Sequence, residues 1–171
     1  MINLIEPRFD FYEVLPSYAE VMSTTHSKCF EVPWSTKDFN DLLGLKTVFG
    51  FIVCMVNDNS EALSTTAANI KKLDCGGFVL YSLASDQCEI LTICVLPECR
   101  RKRLAINLMQ NVIKRIKLIG VNEIFLEVAE NNVAARNLYI NQGFKVFGKR
   151  RRYYRQKEGR VDALQLSKSI Y

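Results

Sequence analysis

Apolar positions recur along this chain in two periods, every second residue and every third to fourth, and their succession predicts an α/β order. Residues 47–56 are a dense run of β-branched and aromatic side chains, the composition of a strand. Residues 76–81 and 89–95 predict two further strands, and Pro97 stops the second because it has no amide to donate. From there the spacing changes. Leu104, Ala105, Leu108, Met109, Val112, Ile113 and Ile116 repeat at helical intervals, with Gly120 as the C-terminal cap. Residues 124–129 predict a buried strand, and Asn131 or Asn132 caps a second helix that ends at Gly143. Two last strands lie near 144–154 and 163–169.

The first third is less regular. Residues 10–28 carry an imperfect helical stripe of Tyr12, Leu15, Tyr18, Ala19 and Met22. Ser35 and Asp38 then fit a capping box bracketed by the apolar pair Trp34 and Phe39, so a short helix starts near Thr36. Residues 57–74, rich in Asn, Ser, Thr and Ala, read as a long polar loop. The order β-α-α-β-β-β-α-β-α-β-β predicts an α/β fold on a central, mixed sheet. With no repeat and no linker, residues 1–171 are expected to form one domain.

Composition narrows the classes. At 49% hydrophobic and 24% charged the chain matches an ordinary globular protein rather than a disordered one. No window reaches about 18 uncharged apolar residues, so a membrane helix is not expected. The first eight residues lack a basic start followed by an apolar run, so no cleaved signal is expected and the compartment is the cytoplasm. The six cysteines form no C-x-x-C pair and His26 is the single histidine, which gives no metal cluster. They read as buried structural thiols. A nucleophilic cysteine is the lesser reading, because only His26 could activate one. His26 itself reads as a polar residue at a loop or helix end.

Candidate chemistry comes from two places. The net charge of +5 concentrates in Arg100-Arg101-Lys102-Arg103 and Lys149-Arg150-Arg151-Arg152. The first cluster sits where a strand turns into a helix, so unpaired amides and the positive end of the dipole meet there, as in a pyrophosphate site. A solvated helix start is the alternative. The second cluster divides between a solvated strand and a charged face for an acidic peptide or RNA surface. In Leu126-Glu127-Val128 a carboxylate interrupts an apolar strand, and Tyr139 follows on the next helix. Together they could serve as base and acid of a proton transfer. Each has a simpler reading: a strand-end carboxylate paired with an arginine, and a packed core phenol.

These blocks resemble the GNAT acetyltransferases, and within them the RimI branch of ribosomal-protein-alanine N-acetyltransferases. The basic turn looks like the family's acetyl-CoA loop. His26 through Ser35 resembles H-x-x-x-F-x-x-P-W-S, and residues 89–95 resemble E-I-L-T-I-A-V. Leu126-Glu127-Val128, Asn132 through Tyr139 and Gly143-Phe144 follow L-E-V…N-x-x-A-x-x-L-Y-x-x-x-G-F, with R-R-x-Y-Y at 150–154 and G-R-x-D-A at 159–163. The resemblance implies a GNAT fold, with a mostly antiparallel sheet flanked by helices, and acetyl-CoA as co-substrate without a metal. It implies Glu127 as general base and Tyr139 as general acid. Ile93, Cys94, Val95, Arg100, Arg101, Lys102, Arg103, Leu104, Ala105 and Asn132 would bind acetyl-CoA, and Trp34, Tyr153 and Tyr154 would shape the acceptor cleft. The implied partner is a protein N-terminus, the alanine of a small-subunit ribosomal protein, with no membrane and no specific nucleic acid. Another amine as acceptor, or a non-catalytic binding module, are the alternatives. One departure stands out: Arg103 and Ala105 occupy the positions of loop glycines. Alanine is a mild change, whereas the Arg103 side chain either crowds the pyrophosphate or turns outward and adds a charge contact.

Overall fold

The computed structural model describes residues 7–56 and 74–170; the polar loop expected at 57–74 lies, but for Asp74, outside them. In chain order the elements are β1 (Arg8–Glu13), α1 (Ala19–Ser27), α2 (Thr36–Leu43), β2 (Val48–Val56), β3 (Cys75–Ala84), β4 (Gln87–Val95), α3 (Leu104–Leu118), β5 (Glu123–Ala129), α4 (Val133–Asn141), β6 (Lys145–Gln156) and β7 (Gly159–Ser169). The predicted order holds.

One boundary is corrected. The helix expected over 10–28 gives its first residues to β1, which pairs antiparallel with β2 from Arg8 opposite Val56 to Glu13 opposite Phe51. Pro16 is the reason. It cannot accept a place inside a helix, so one 3₁₀ turn at Pro16–Tyr18 intervenes and α1 starts only at Ala19. The last strand also starts earlier than predicted, at Gly159, whose φ of +125° closes the β6–β7 hairpin.

The strands form a seven-stranded sheet in the order β1-β2-β3-β4-β5-β7-β6. Only β4 and β5 run parallel; every other neighbouring pair is antiparallel. Two apolar clusters cover its faces. On one, Leu104, Leu108, Met109, Val112 and Ile116 of α3 and Tyr139 of α4 pack on Val79, Ile90, Ile124 and Leu126. On the other, Tyr18, Met22 and Phe39 pack on Ile52, Phe78, Leu80 and Cys94. The capping box that starts α2 forms as expected: the Asp38 amide donates to Ser35 Oγ at 3.2 Å, and the Ser35 amide donates to Asp38 Oδ2 at 2.7 Å. At the end of α3, Gly120 at φ +75° lets the Val121 amide reach the Ile116 carbonyl at 3.1 Å.

One irregularity positions everything that follows. The parallel ladder runs from Gln87 opposite Glu123 to Ile90 opposite Leu126 and goes no further. At the same point the β3–β4 register shifts, from Leu80 opposite Thr92 to Tyr81 opposite Ile90, so Leu91 is an extra residue in β4. A bulge bends its strand and breaks local pairing. Here it carries 91–95 away from β5, and the sheet is split in its middle.

Candidate functional site

The split opens into a cleft of about 790 Å³. Ile93, Cys94 and Val95 of β4 form one side, and the first residues of α3 close the end. Asn132, Ala135, Leu138 and Tyr139 of α4 face them, and Cys29 and Phe30, just past α1, complete the rim. Because β5 has left, β4 offers its backbone to a ligand along 93–95.

The basic turn is shaped for an anion. No side chain caps α3, and its first turn has no preceding carbonyls to bond, so the amides of Leu104, Ala105 and Ile106 are left for a ligand. All three residues line the cleft. Arg101 and Arg103 both adopt the left-handed region, at φ +65° and +59°. A side chain there costs about 1–2 kcal/mol, strain that glycine would not carry. The four basic side chains behave differently from one another. Arg100 folds back, donating from Nε to the Val95 carbonyl at 3.2 Å, and so ties the turn to β4. Arg101 and Arg103 line the cleft. Lys102 does not; its ammonium lies over the Phe9 ring, 5.2 Å from the centroid. Asn132 lines the cleft while its Oδ1 accepts from the Ala135 amide at 3.1 Å, capping α4. Its amide group remains to reach a ligand.

Tyr139 is 5% exposed, packed edge-on against Phe144, and burial raises its phenol well above the ordinary tyrosine range. It therefore stays protonated at any ordinary pH. Glu127 does not line this cleft. Along β5 the residues that pack with Tyr139 and α3 are Ile124, Leu126 and Val128, so the period of two points Glu127 to the opposite, α1–α2 face. Glu127 and Tyr139 thus flank the split from its two sides.

Around Glu127 the structure gathers residues from β6 and β7. Arg150 donates to Oε1 at 3.1 Å, Gln165 donates to the same oxygen at 3.1 Å, and the carboxylate side chain is 18% exposed. Among the described residues neither bond, nor any other, involves Oε2. Tyr154 donates its hydroxyl to the Glu127 carbonyl at 3.2 Å, and burial pushes that phenol up to about 12. Tyr153 is half-exposed under the Arg150 guanidinium, 3.9 Å from the ring centroid. The expected pairing of Glu127 with an arginine is present, and it occupies one oxygen only.

Trp34 stands elsewhere. Its ring packs at 5.2 Å on His26 and 5.6 Å on Phe39, and its amide donates to His26 Nδ1 at 3.1 Å. His26 is 2% exposed and also meets Thr92 Oγ1 through Nε2 at 3.3 Å; burial lowers its pKa to about 4. It is a neutral pivot of the α1–α2 corner. Five of the cysteines are buried; Cys29 is half-buried and lines the cleft. Sequence reasoning did not place Cys29, Phe30 or Gln165 at the site, and it marked Arg150 only as part of a basic cluster and a family motif. No local signal ties them to the site, since each reaches it from an element distant in the chain. Among the described residues there is no cluster able to hold a metal, and no helix long and apolar enough to cross a membrane.

Residues 19–144 match the acetyltransferase (GNAT) family. A curated relative, the [ribosomal protein bS18]-alanine N-acetyltransferase of Escherichia coli K12, is 33% identical over 87 residues, 51% of this chain. That stretch spans 59% of the relative, so the chain matches little more than half the length of the curated relatives. The crystal structure of the Escherichia coli ribosomal-protein-S18-alanine N-acetyltransferase superposes with a TM-score of 0.81 at 23% identity, covering 95% of this chain and 94% of that one. Arabidopsis thaliana NAA60 in complex with acetyl-CoA superposes with a TM-score of 0.77 at 18% identity, over 95% and 99%. These two establish likeness of fold.

Proposed function

Because the chain belongs to the acetyltransferase (GNAT) family, we propose that it moves the acetyl group of acetyl-CoA to a protein N-terminal amine. The N-terminal alanine of a small-subunit ribosomal protein is the proposed acceptor, on the strength of the relatives' named activity. The observation that carries the reading is the split sheet, with an open carboxylate oxygen on one side and a buried neutral phenol on the other.

In this reading acetyl-CoA supplies the thioester carbonyl that the amine attacks. The amides opening α3 and the Arg101 and Arg103 side chains hold its phosphates by dipole and charge. The backbone at 93–95 lines its arm, and a β4 amide meets the charge that develops on the carbonyl oxygen. An α-amine has a pKa of about 7.7–8.0, so it arrives partly protonated and must lose a proton. Oε2 of Glu127 takes that proton, directly or through a water, while Arg150 and Gln165 hold the carboxylate by its other oxygen. Tyr139 donates toward the leaving sulfur. Tyr153 and Tyr154 border the acceptor beside Glu127, and Trp34 supports the α1–α2 corner from behind.

The test is CoA release from acetyl-CoA with and without a short peptide beginning in alanine. Peptide-dependent release that falls at least tenfold in both Glu127→Gln and Tyr139→Phe, with unfolding midpoints unchanged, is the expected result. Release at full rate in both variants refutes the mechanism. Thermal stabilisation by acetyl-CoA without release means a different acceptor, and neither signal means a non-catalytic module. At a hundredfold excess over Kd, binding should add about 2.7 kcal/mol.

A further inference from the structure

His26 is buried and polar but takes no part in the proposed proton transfers, and it does not line the cleft. Its partners fix which nitrogen carries the proton. Nδ1 accepts the Trp34 amide at 3.1 Å, so in the neutral ring Nε2 holds the hydrogen and donates it to Thr92 Oγ1 at 3.3 Å. Aromatic contacts confine the ring: Phe30 stacks on it at 4.0 Å, Trp34 at 5.2 Å, and Phe39 meets it edge-on at 5.5 Å. Thr92 is the residue just past the extra position Leu91, and it is itself buried. The bulge there reverses the alternation of β4. Before it, Cys88 and Ile90 pack with α3; after it, Ile93 and Val95 do, while Leu91 and Cys94 join the α1–α2 face. The His26 bond therefore holds the first residue of the reversed stretch, whose backbone lines the cleft at 93–95. Were the bulge to slide by one residue, Thr92 would turn away and leave Nε2–H without an acceptor among aromatic rings. That desolvation penalty keeps the bulge where it is.

We propose that His26 is a positioning residue for acetyl transfer: through Thr92 it pins the β4 bulge and so sets the 93–95 backbone against acetyl-CoA. The role rests on the acetyl-CoA reading above. A β4 amide is the group that meets the charge on the thioester oxygen, and a displacement of about 1 Å there forfeits much of its effect. The same ring holds the Trp34 amide, and the Trp34 carbonyl accepts the Ser23 hydroxyl at 3.2 Å. The imidazole thus ties the α1–α2 corner to the strand that lines the cofactor's arm.

Three variants of the full chain test this. Thr92→Val removes the hydroxyl at nearly constant volume, and Thr92→Ser keeps it. His26→Asn leaves an acceptor for the Trp34 amide but is too short for Thr92. In the unliganded chain, hydrogen exchange of the peptide covering 89–95 should rise at least fivefold in Thr92→Val and stay near wild type in Thr92→Ser. Peptide-dependent CoA release should lose at least fivefold in kcat in Thr92→Val and in His26→Asn, with KM for the peptide within twofold. The double variant should lose no more than either single one, and Thr92→Ser should keep the rate. A merely structural role would lower the unfolding midpoint and leave kcat of the folded enzyme alone. If Thr92→Val fails to fold, His26→Asn carries the same readouts. A full-rate Thr92→Val, losses that multiply in the double variant, or unchanged exchange at 89–95 overturns the positioning role. A wild-type chain that acetyl-CoA does not stabilise and that releases no CoA refutes the acetyl-CoA reading, and this role falls with it; the wild-type control tells the two failures apart.

Discussion

Acid should weaken this fold through His26. Its Nδ1 accepts a hydrogen bond from the Trp34 amide at 3.1 Å, a bond that exists only while the imidazole is neutral. The ring is 2% exposed, stacked at 4.0 Å on Phe30 and 5.2 Å on Trp34. Protonation would strand a charge there and break the bond. Burial therefore lowers the pKa from 6.5 to about 4. The sign follows from proton counting. Between these two values the unfolded chain binds the proton and the native chain does not, so acid favours unfolding. The stabilisation is complete above pH 6.5 and is lost as pH falls toward 4. At pH 5 an unfolded imidazole is about 97% protonated and the native one about 9%, which removes about 2 kcal/mol of stability relative to pH 7. Since His26 is the chain's only histidine, its ring resonances are unambiguous in an NMR titration. They should show no titration near 6.5, with protonation appearing only near pH 4 or with unfolding. Urea unfolding at pH 7 and pH 5 should lose about 2 kcal/mol more in the wild type than in His26→Asn. A resonance that titrates at 6.5 in the folded protein, or equal losses in both, refutes the reasoning.

Three further outcomes are expected. Gly77→Ala would put a Cβ 2.4 Å from the Cys94 carbonyl oxygen and 3.0 Å from Val95 Cα, both backbone, so the urea midpoint should fall by the equivalent of roughly 1–3 kcal/mol. A neutral result would mean that β4 is free to shift. Arg103→Gly relieves a left-handed side chain at φ +59° and should raise stability by about 1 kcal/mol in the same assay; a loss would show that the Arg103 side chain holds the loop. Ser35→Ala removes the Oγ that accepts the Asp38 amide at 3.2 Å and should cost about 1 kcal/mol, seen as a lower thermal midpoint.

What the amino-acid sequence determined by itself was whatever depends on near neighbours in the chain. The Ser35–Asp38 box, the apolar repeat of α3 and the Asn132 cap are contacts over a few residues, and each stands where the pattern put it, as does the strand β5, whose residues alternate in burial rather than all being buried. The start of α1 departs from the pattern for the same reason turned round: the side chains of β1 also fit a helical stripe, and what holds β1 extended is its ladder with β2, some forty residues away in sequence. Tertiary structure alone decided the site. The extra residue Leu91 is unremarkable in sequence, and only the mismatch between β4's two neighbouring ladders turns it into a split. Beside that split, Tyr139 packs with the apolar positions of β5 while Glu127, between Leu126 and Val128, points to the other face. The β6–β7 hairpin then brings Arg150 and Gln165 onto one oxygen of Glu127, and the chain reversal after α1 sets Cys29 Sγ 3.6 Å from the Val95 carbonyl oxygen. Such pairings join residues 23 to 66 positions apart. Their partners are chosen by how strands register and helices pack, a balance of burial over the whole sheet that no short window of sequence contains.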